Sequence, residues 1–126
     1  MSQLQAVEIP KVQGVTAEII PSGQLKLSGT IAARDPTEGL APFFRNVHKA
    51  VVDGRLGQFK VDVSGLTFVN SSAIRLFVDW VTWVKNDVSS QYKLVFVTDS
   101  RVTWQKTSLP VLKSLAPSIV IIEAAA

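Results

Sequence analysis

The sequence predicts one α/β domain, a mixed β-sheet with an N-terminal hairpin and three to four helices, and three observations carry that prediction. Short apolar runs, alternating or continuous, read as strands at 14–31, 59–65, 92–99 and 118–123. Between them apolar residues recur at helical spacing. The chain has 126 residues, 47% of them hydrophobic, enough for one ordinary core and too few for two comfortable ones.

Taken in order, "GVTAEIIPSGQLKLSGTI" gives two short strands around Pro21-Ser22-Gly23, where Gly23 supplies the positive φ of a tight turn. Residues 32–39 read as a loop. Leu40, Phe43, Phe44, Val47, Val51 and Val52 then mark a helix over about 40–54, ended by Gly54. Phe59, Val61 and Val63 alternate along a strand that stops at Gly65, followed by a serine-bearing loop and a helix from 71 to 86. "YKLVFVTD" is apolar without alternation, as in strands covered on both faces. Residues 101–116 are helical in composition, but Pro110 should break or kink that helix, or open a second one capped by Thr107 or Ser108. "SIVIIE" is the last strand. Strands alternating with helices imply parallel pairs joined by right-handed crossovers. The domain is taken to span 1–126, with residues 1–5 expected to be disordered.

Composition narrows the function. There is no cysteine, hence no disulfide framework and no thiolate metal site. The N-terminus has no basic region followed by an apolar one, and the most apolar stretch is broken by Arg75 and Asp79, so neither a signal peptide nor a membrane span is expected. A soluble, cytoplasmic protein follows. The net charge of +3 comes from scattered cations with no run of three, which argues against a nucleic-acid partner. His48 is the single histidine and has no cysteine or carboxylate at ligand spacing, so a surface or half-buried role is expected and no metal. Trp104, with Lys106 nearby, reads as helix-surface packing.

"VDVSGLTFVNSSAIRLF", residues 61–77, carries a resemblance. It is similar to the signature of the STAS domain (sulphate transporter and anti-sigma factor antagonist): strand, Asp-x-Ser, a short apolar loop, an acidic residue, two hydroxyl residues, a small residue, then a helix. Asp62, Ser64, Ser71 and Ser72 match in type and spacing. The family's acidic residue is Asn70 here, and its usual glycine is Ala73. In free-standing bacterial antagonists the second serine is phosphorylated by a kinase that is also the anti-sigma factor, and a phosphatase resets the cycle. The resemblance therefore implies Ser72 as phospho-acceptor. It also implies a serine-kinase anti-sigma factor and a phosphatase as partners, and no cofactor.

Local chemistry suits that role. With Asn70 or Ser71 as N-cap, Ser72 falls in the first helical turn, where free N–H groups and the positive dipole end favour an anion and Arg75 stands three residues on. The helix is apolar over roughly 220° of arc, wider than packing on a sheet requires. Phe77, Trp80 and Val84 should be core. Ser72, Leu76, Asp79 and Trp83 share an edge expected to face a partner, although the same edge could lie against a neighbouring helix or in a homodimer.

Other readings remain beside this one. The serines could serve as a helix cap alone, and Asp62 and Ser64 could bond the turn after their strand. A constitutive STAS-like adaptor or scaffold subunit without phosphorylation shares every fold-level expectation. An enzyme is disfavoured: there is no nucleophile elbow, no Gly-x-x-x-x-Gly-Lys, and one histidine leaves little from which to assemble a triad.

Overall fold

The structure, a computed structural model, describes residues 7–9, 14–20, 22–32, 37–87 and 91–125. Residues 1–5, Pro21 and part of the expected 32–39 loop lie outside them. The chain runs β1 (Val15–Ile20), β2 (Gln24–Ile31), α1 (Thr37–Asp53), β3 (Gln58–Val69), α2 (Ser71–Asn86), β4 (Lys93–Thr98), α3 (Thr103–Leu115) and β5 (Val120–Ala124). The hairpin is as expected, with Gly23 at φ +124° and its N–H donating to Ile20 O at 3.0 Å.

The sheet follows chain order, β1 to β5; β1 and β2 are antiparallel and every later pair is parallel. Three right-handed crossovers stepping in one direction put α1, α2 and α3 on one face. There the alternating residues Leu25, Leu27, Phe59, Val61, Val63, Leu94, Phe96 and Val120 meet Phe44, Phe77 and Trp80, all essentially inaccessible. Lys26, Lys60 and Asp62 point the other way, and Lys60 pairs with Glu123 across that face at 3.7 Å. β4 is covered on both faces at its centre, as expected: Leu94 and Phe96 face the helices, and Val95, pointing the other way, is 2% exposed, although no helix among the described residues crosses behind a sheet whose order never reverses.

β3 is longer than its sequence pattern implies. Instead of stopping at Gly65 it continues to Val69 beside β2, with irregularities between Lys26/Ser28 and Gly29/Thr30. At each, β3 advances one residue more than β2, so its buried residues are Phe59, Val61, Val63, then Leu66 and Val69. The serine-bearing loop is thus a twice-bulged strand. α3 also departs from expectation: it is continuous through Pro110. Pro110 is solvent-exposed, so the Lys106 carbonyl it leaves without an N–H partner can be hydrated.

Candidate functional site

Asn70 ends β3 and caps α2. Its backbone is extended (φ −83°, ψ 174°), its N–H donates to Ile31 O at 2.9 Å, and its side-chain oxygen accepts from the N–H of Ala73 at 2.9 Å. The amide oxygen thus performs the capping that a carboxylate would, without the charge. Ser71 and Ser72 become the first two helical residues, the former exposed and the latter half-buried. Ala73 is 1% exposed and belongs to the core, and Arg75 is exposed.

Asp62 and Ser64 support the first bulge. One carboxylate oxygen of Asp62 accepts from the Ser64 N–H at 3.0 Å and from its hydroxyl at 2.6 Å, holding an N–H that the bulge takes out of the regular ladder. At the second bulge the Thr67 hydroxyl donates to Gly29 O at 3.1 Å. β4 pairs with β3 only as far as Asp62↔Val97, so beyond that point the β3 carbonyls need other partners. α3 supplies them. The Gln105 amide donates to Val63 O at 2.6 Å and Leu66 O at 3.1 Å, and the Trp104 indole N–H donates to Leu66 O at 2.6 Å. The Gln105 side-chain oxygen in turn accepts from Asp99 N–H at 2.7 Å. Trp104 is therefore buried, not the helix-surface residue its composition implied, because its indole reaches a carbonyl the sheet has left unpaired.

The edge expected to face a partner divides. Leu76 is 4% exposed and sits in the core, so that assignment is corrected: α1 covers this flank of α2. Trp83 is half-buried on the same flank, its ring 5.8 Å from that of His48 and capped by the Arg45 guanidinium at 4.7 Å, both on α1. Ser72 and Asp79 remain half-exposed at the rim of the α1–α2 junction. The outward stripe of α2 runs instead through Ser71, Arg75, Thr82 and Lys85. Phe68, which sequence reasoning passed over, is 50% exposed three residues before Ser71 on the open face of the sheet. Its exposure follows from the second bulge, which no local pattern announces.

His48 is also more buried than expected. The Trp80 indole N–H donates to the Tyr92 hydroxyl at 2.9 Å, and that hydroxyl lies 2.8 Å from His48 Nδ1. Burial, helped by nearby Arg45 and opposed by Asp87, lowers the His48 pKa and favours the neutral ring, whose Nδ1 can accept from the Tyr92 hydroxyl. The chain ties α1, α2 and β4 together and is structural. A cavity of about 280 Å³ lined by Gly57, Gln91, Tyr92, Lys93, Ser118 and Ile119 lies at the N-terminal ends of the parallel strands, opposite Ser72. Among the described residues no group of three or more histidines or carboxylates could hold a metal, and no helix is long and apolar enough to cross a membrane.

A one-sided mixed sheet with three helices and a hydroxyl pair opening the middle helix is compatible with a STAS-like fold. No family model and no curated protein matches the chain. Among solved structures it is similar to a chain of the crystal structure of the diguanylate cyclase SiaD in complex with its activator SiaC from Pseudomonas aeruginosa. The TM-score is 0.67 at 17% identity, over 90% of this chain and 96% of the other. The likeness is one of fold.

Proposed function

We propose that this protein is a non-catalytic regulatory adaptor, resembling an anti-sigma factor antagonist, whose docking is switched by phosphorylation of Ser72. The observation that carries the reading is the Asn70-capped start of α2. It sets Ser71 and Ser72 in the first turn, beside an exposed Phe68 that can anchor a partner. A phosphate there would add nearly two negative charges at a helix N-terminus, which tolerates them and gains about 0.3–1 kcal/mol per favourable charge. The fold would be spared, and the cost would fall on a partner whose dry surface must meet the dianion. By resemblance that partner is a serine-kinase anti-sigma factor, with a phosphatase reversing the modification. The neighbour's description as an activator of a diguanylate cyclase supports partner binding and widens the class to enzymes controlled by docking.

The test is phosphosite mapping by mass spectrometry on protein recovered from its own cells under several growth conditions, phosphatases quenched. Phosphate on Ser72 that varies with condition supports the switch. A clearly detected, always unmodified peptide overturns it in favour of a constitutive adaptor, the reading that Asn70 in place of the family's acidic residue favours. Ser72→Asp and Ser72→Ala, both expected to fold, would then bind a partner equally well.

A further inference from the structure

β5 is an edge of the sheet, and part of its backbone faces outward with no strand beside it among the described residues. Leu94 N–H donates to Ile119 O at 3.0 Å and Ala125 N–H to Thr98 O at 2.8 Å, so the odd-numbered residues of this segment bond β4. Val120, Ile122 and Ala124 therefore turn their N–H and C=O groups away from the sheet. Val120 is served from nearby: its N–H donates to Ala116 O at 2.9 Å, and Lys113 Nζ donates to its carbonyl at 3.2 Å. Ile122 and Ala124 find no such partner among the described residues. β5 pairs with β4 without a bulge and holds no proline, so two common devices that blunt an edge are missing. It is apolar on both faces: Ile122, towards the helices, is 36% exposed, and Ile121, on the open face, 39%.

The charge around this edge has one sign. At 100° per residue, Lys106 and Lys113 stand about 180–200° round α3 from Trp104, whose ring stacks on Phe77 of α2, so both lie on the flank towards β5. They are two helical turns apart, about 10 Å. α3 runs back against β5, which sets Lys113 by Val120 and Lys106 towards Ala124. On the open face Lys93 donates to Ser118 O at the head of the strand. The carboxylates nearby are matched, Glu123 with Lys60 at 3.7 Å and Asp99 with Arg101 at 2.8 Å. Lys93 and Lys113 hold only neutral carbonyls and Lys106 is exposed, so three positive charges stay uncompensated among the described residues.

We propose that the β5 edge takes up an extended acidic segment of a partner protein as a sixth strand, an inference that deepens the adaptor reading and rests on it. The outward groups of Ile122 and Ala124 fit another backbone, and main-chain bonds supply the docking while the lysines select the sequence. Residues opposite Val120, Ile122 and Ala124 share the helix face. Carboxylates at the first and last of these positions, four residues and about 13 Å apart in a strand, meet Lys113 and Lys106. A β-branched residue between them packs on Ile122. A second copy of this chain, paired two-fold about Ile122, would instead bring its own α3 lysines against these. An anionic lipid surface would answer the lysines but offers no N–H for the carbonyls of Ile122 and Ala124.

The experiment titrates isotopically labelled protein with three peptides of about eight residues, a usual strand length. One is centred on Glu-Thr-Val-Thr-Glu, one has lysines in place of the glutamates, and one keeps the glutamates but is N-methylated on the three central amides. Vesicles of anionic lipid and sedimentation of the protein alone are run beside them. The glutamate peptide should shift the amides of residues 120–124 and slow hydrogen exchange at Ile122 and Ala124. It should bind at least about tenfold more tightly than the lysine peptide and lose that margin in high salt. N-methylation should abolish binding. Lys106→Glu combined with Lys113→Glu, at exposed positions where folding is checked by melting temperature, should reverse the preference. No binding of the glutamate peptide at about 1 mM, equal binding of all three, shifts confined to other elements, binding to vesicles but not to peptide, or a dimer formed through β5 would each overturn the proposal. Ser72 phosphorylation is read separately in cells, so failure of the edge and failure of the switch give different results.

Discussion

Replacing Tyr92 by phenylalanine removes one oxygen atom and keeps the ring. That oxygen is the common partner of the Trp80 indole N–H at 2.9 Å and His48 Nδ1 at 2.8 Å, and the three residues are 3%, 0% and 8% exposed in the order Tyr92, Trp80, His48. Burial also pushes the Tyr92 pKa well upward, so the hydroxyl is protonated and can donate to the imidazole. Without it, two buried polar groups lose their partner. At roughly 1–3 kcal/mol per orphaned group, partly relieved by relaxation, the cost should be about 3 kcal/mol. An unfolding entropy of about 2.1 cal/mol/K per residue over 126 residues is about 0.26 kcal/mol/K, so the melting temperature should fall by about 11 °C. Urea titration should show the midpoint moving with little change in slope. A fall of less than about 3 °C, roughly 0.8 kcal/mol by the same entropy, would mean that the hydroxyl contributes no more than an exposed one and would refute the reasoning.

Other outcomes follow from the same geometry. His48 has its pKa lowered, so its contribution is complete above the ordinary value of 6.5 and is lost as pH falls through the depressed one. Stability should decline with acidification in that window, and His48→Gln should flatten the slope when melting is recorded against pH. Gln105→Met strands Val63 O and Asp99 N–H, and chemical denaturation should report a loss of about 2–4 kcal/mol. Asn70→Ala should cost about 1 kcal/mol by removing the cap, whereas Asn70→Asp should not; circular dichroism melts distinguish them. Gly29 sits at φ +98°, and a Cβ there would stand 2.1 Å from Gly14 O, so Gly29→Ala should lower the melting temperature by an amount equivalent to about 2 kcal/mol or more.

What could be read from the sequence depended on how far apart the cooperating residues lie. The Asn70 cap and α2 were legible because a cap bonds three residues away and a helix satisfies its backbone from within, as Asn70 to Ala73 shows. The apolar periods of Phe59-Val61-Val63 and of Phe77-Trp80-Val84 named core residues correctly, since a period fixes which residues share a face. It does not say which neighbour will cover the face's edges. Leu76 and Trp83 looked free on one helix and are covered because α1 comes to lie on that flank, with Arg45 and His48 arriving from some 35–40 residues earlier.

The sequence by itself determined the α/β order, the hairpin turn at Gly23, the capped hydroxyl pair and the absence of thiol chemistry, all consequences of local sterics, hydrogen bonding or composition. Only the tertiary structure decided that β3 runs on to Val69, because its two bulges follow from pairing with β2 rather than from its own residues. It likewise buried Trp104 and Gln105, whose side-chain N–H groups donate to carbonyls 38 to 42 residues away. The exposed Phe68, a surface left for a partner, is what remains once β3 has bulged along β2 and α3 has taken up the carbonyls of Val63 and Leu66. That remainder is a property of the assembled layers, and no window of sequence contains it.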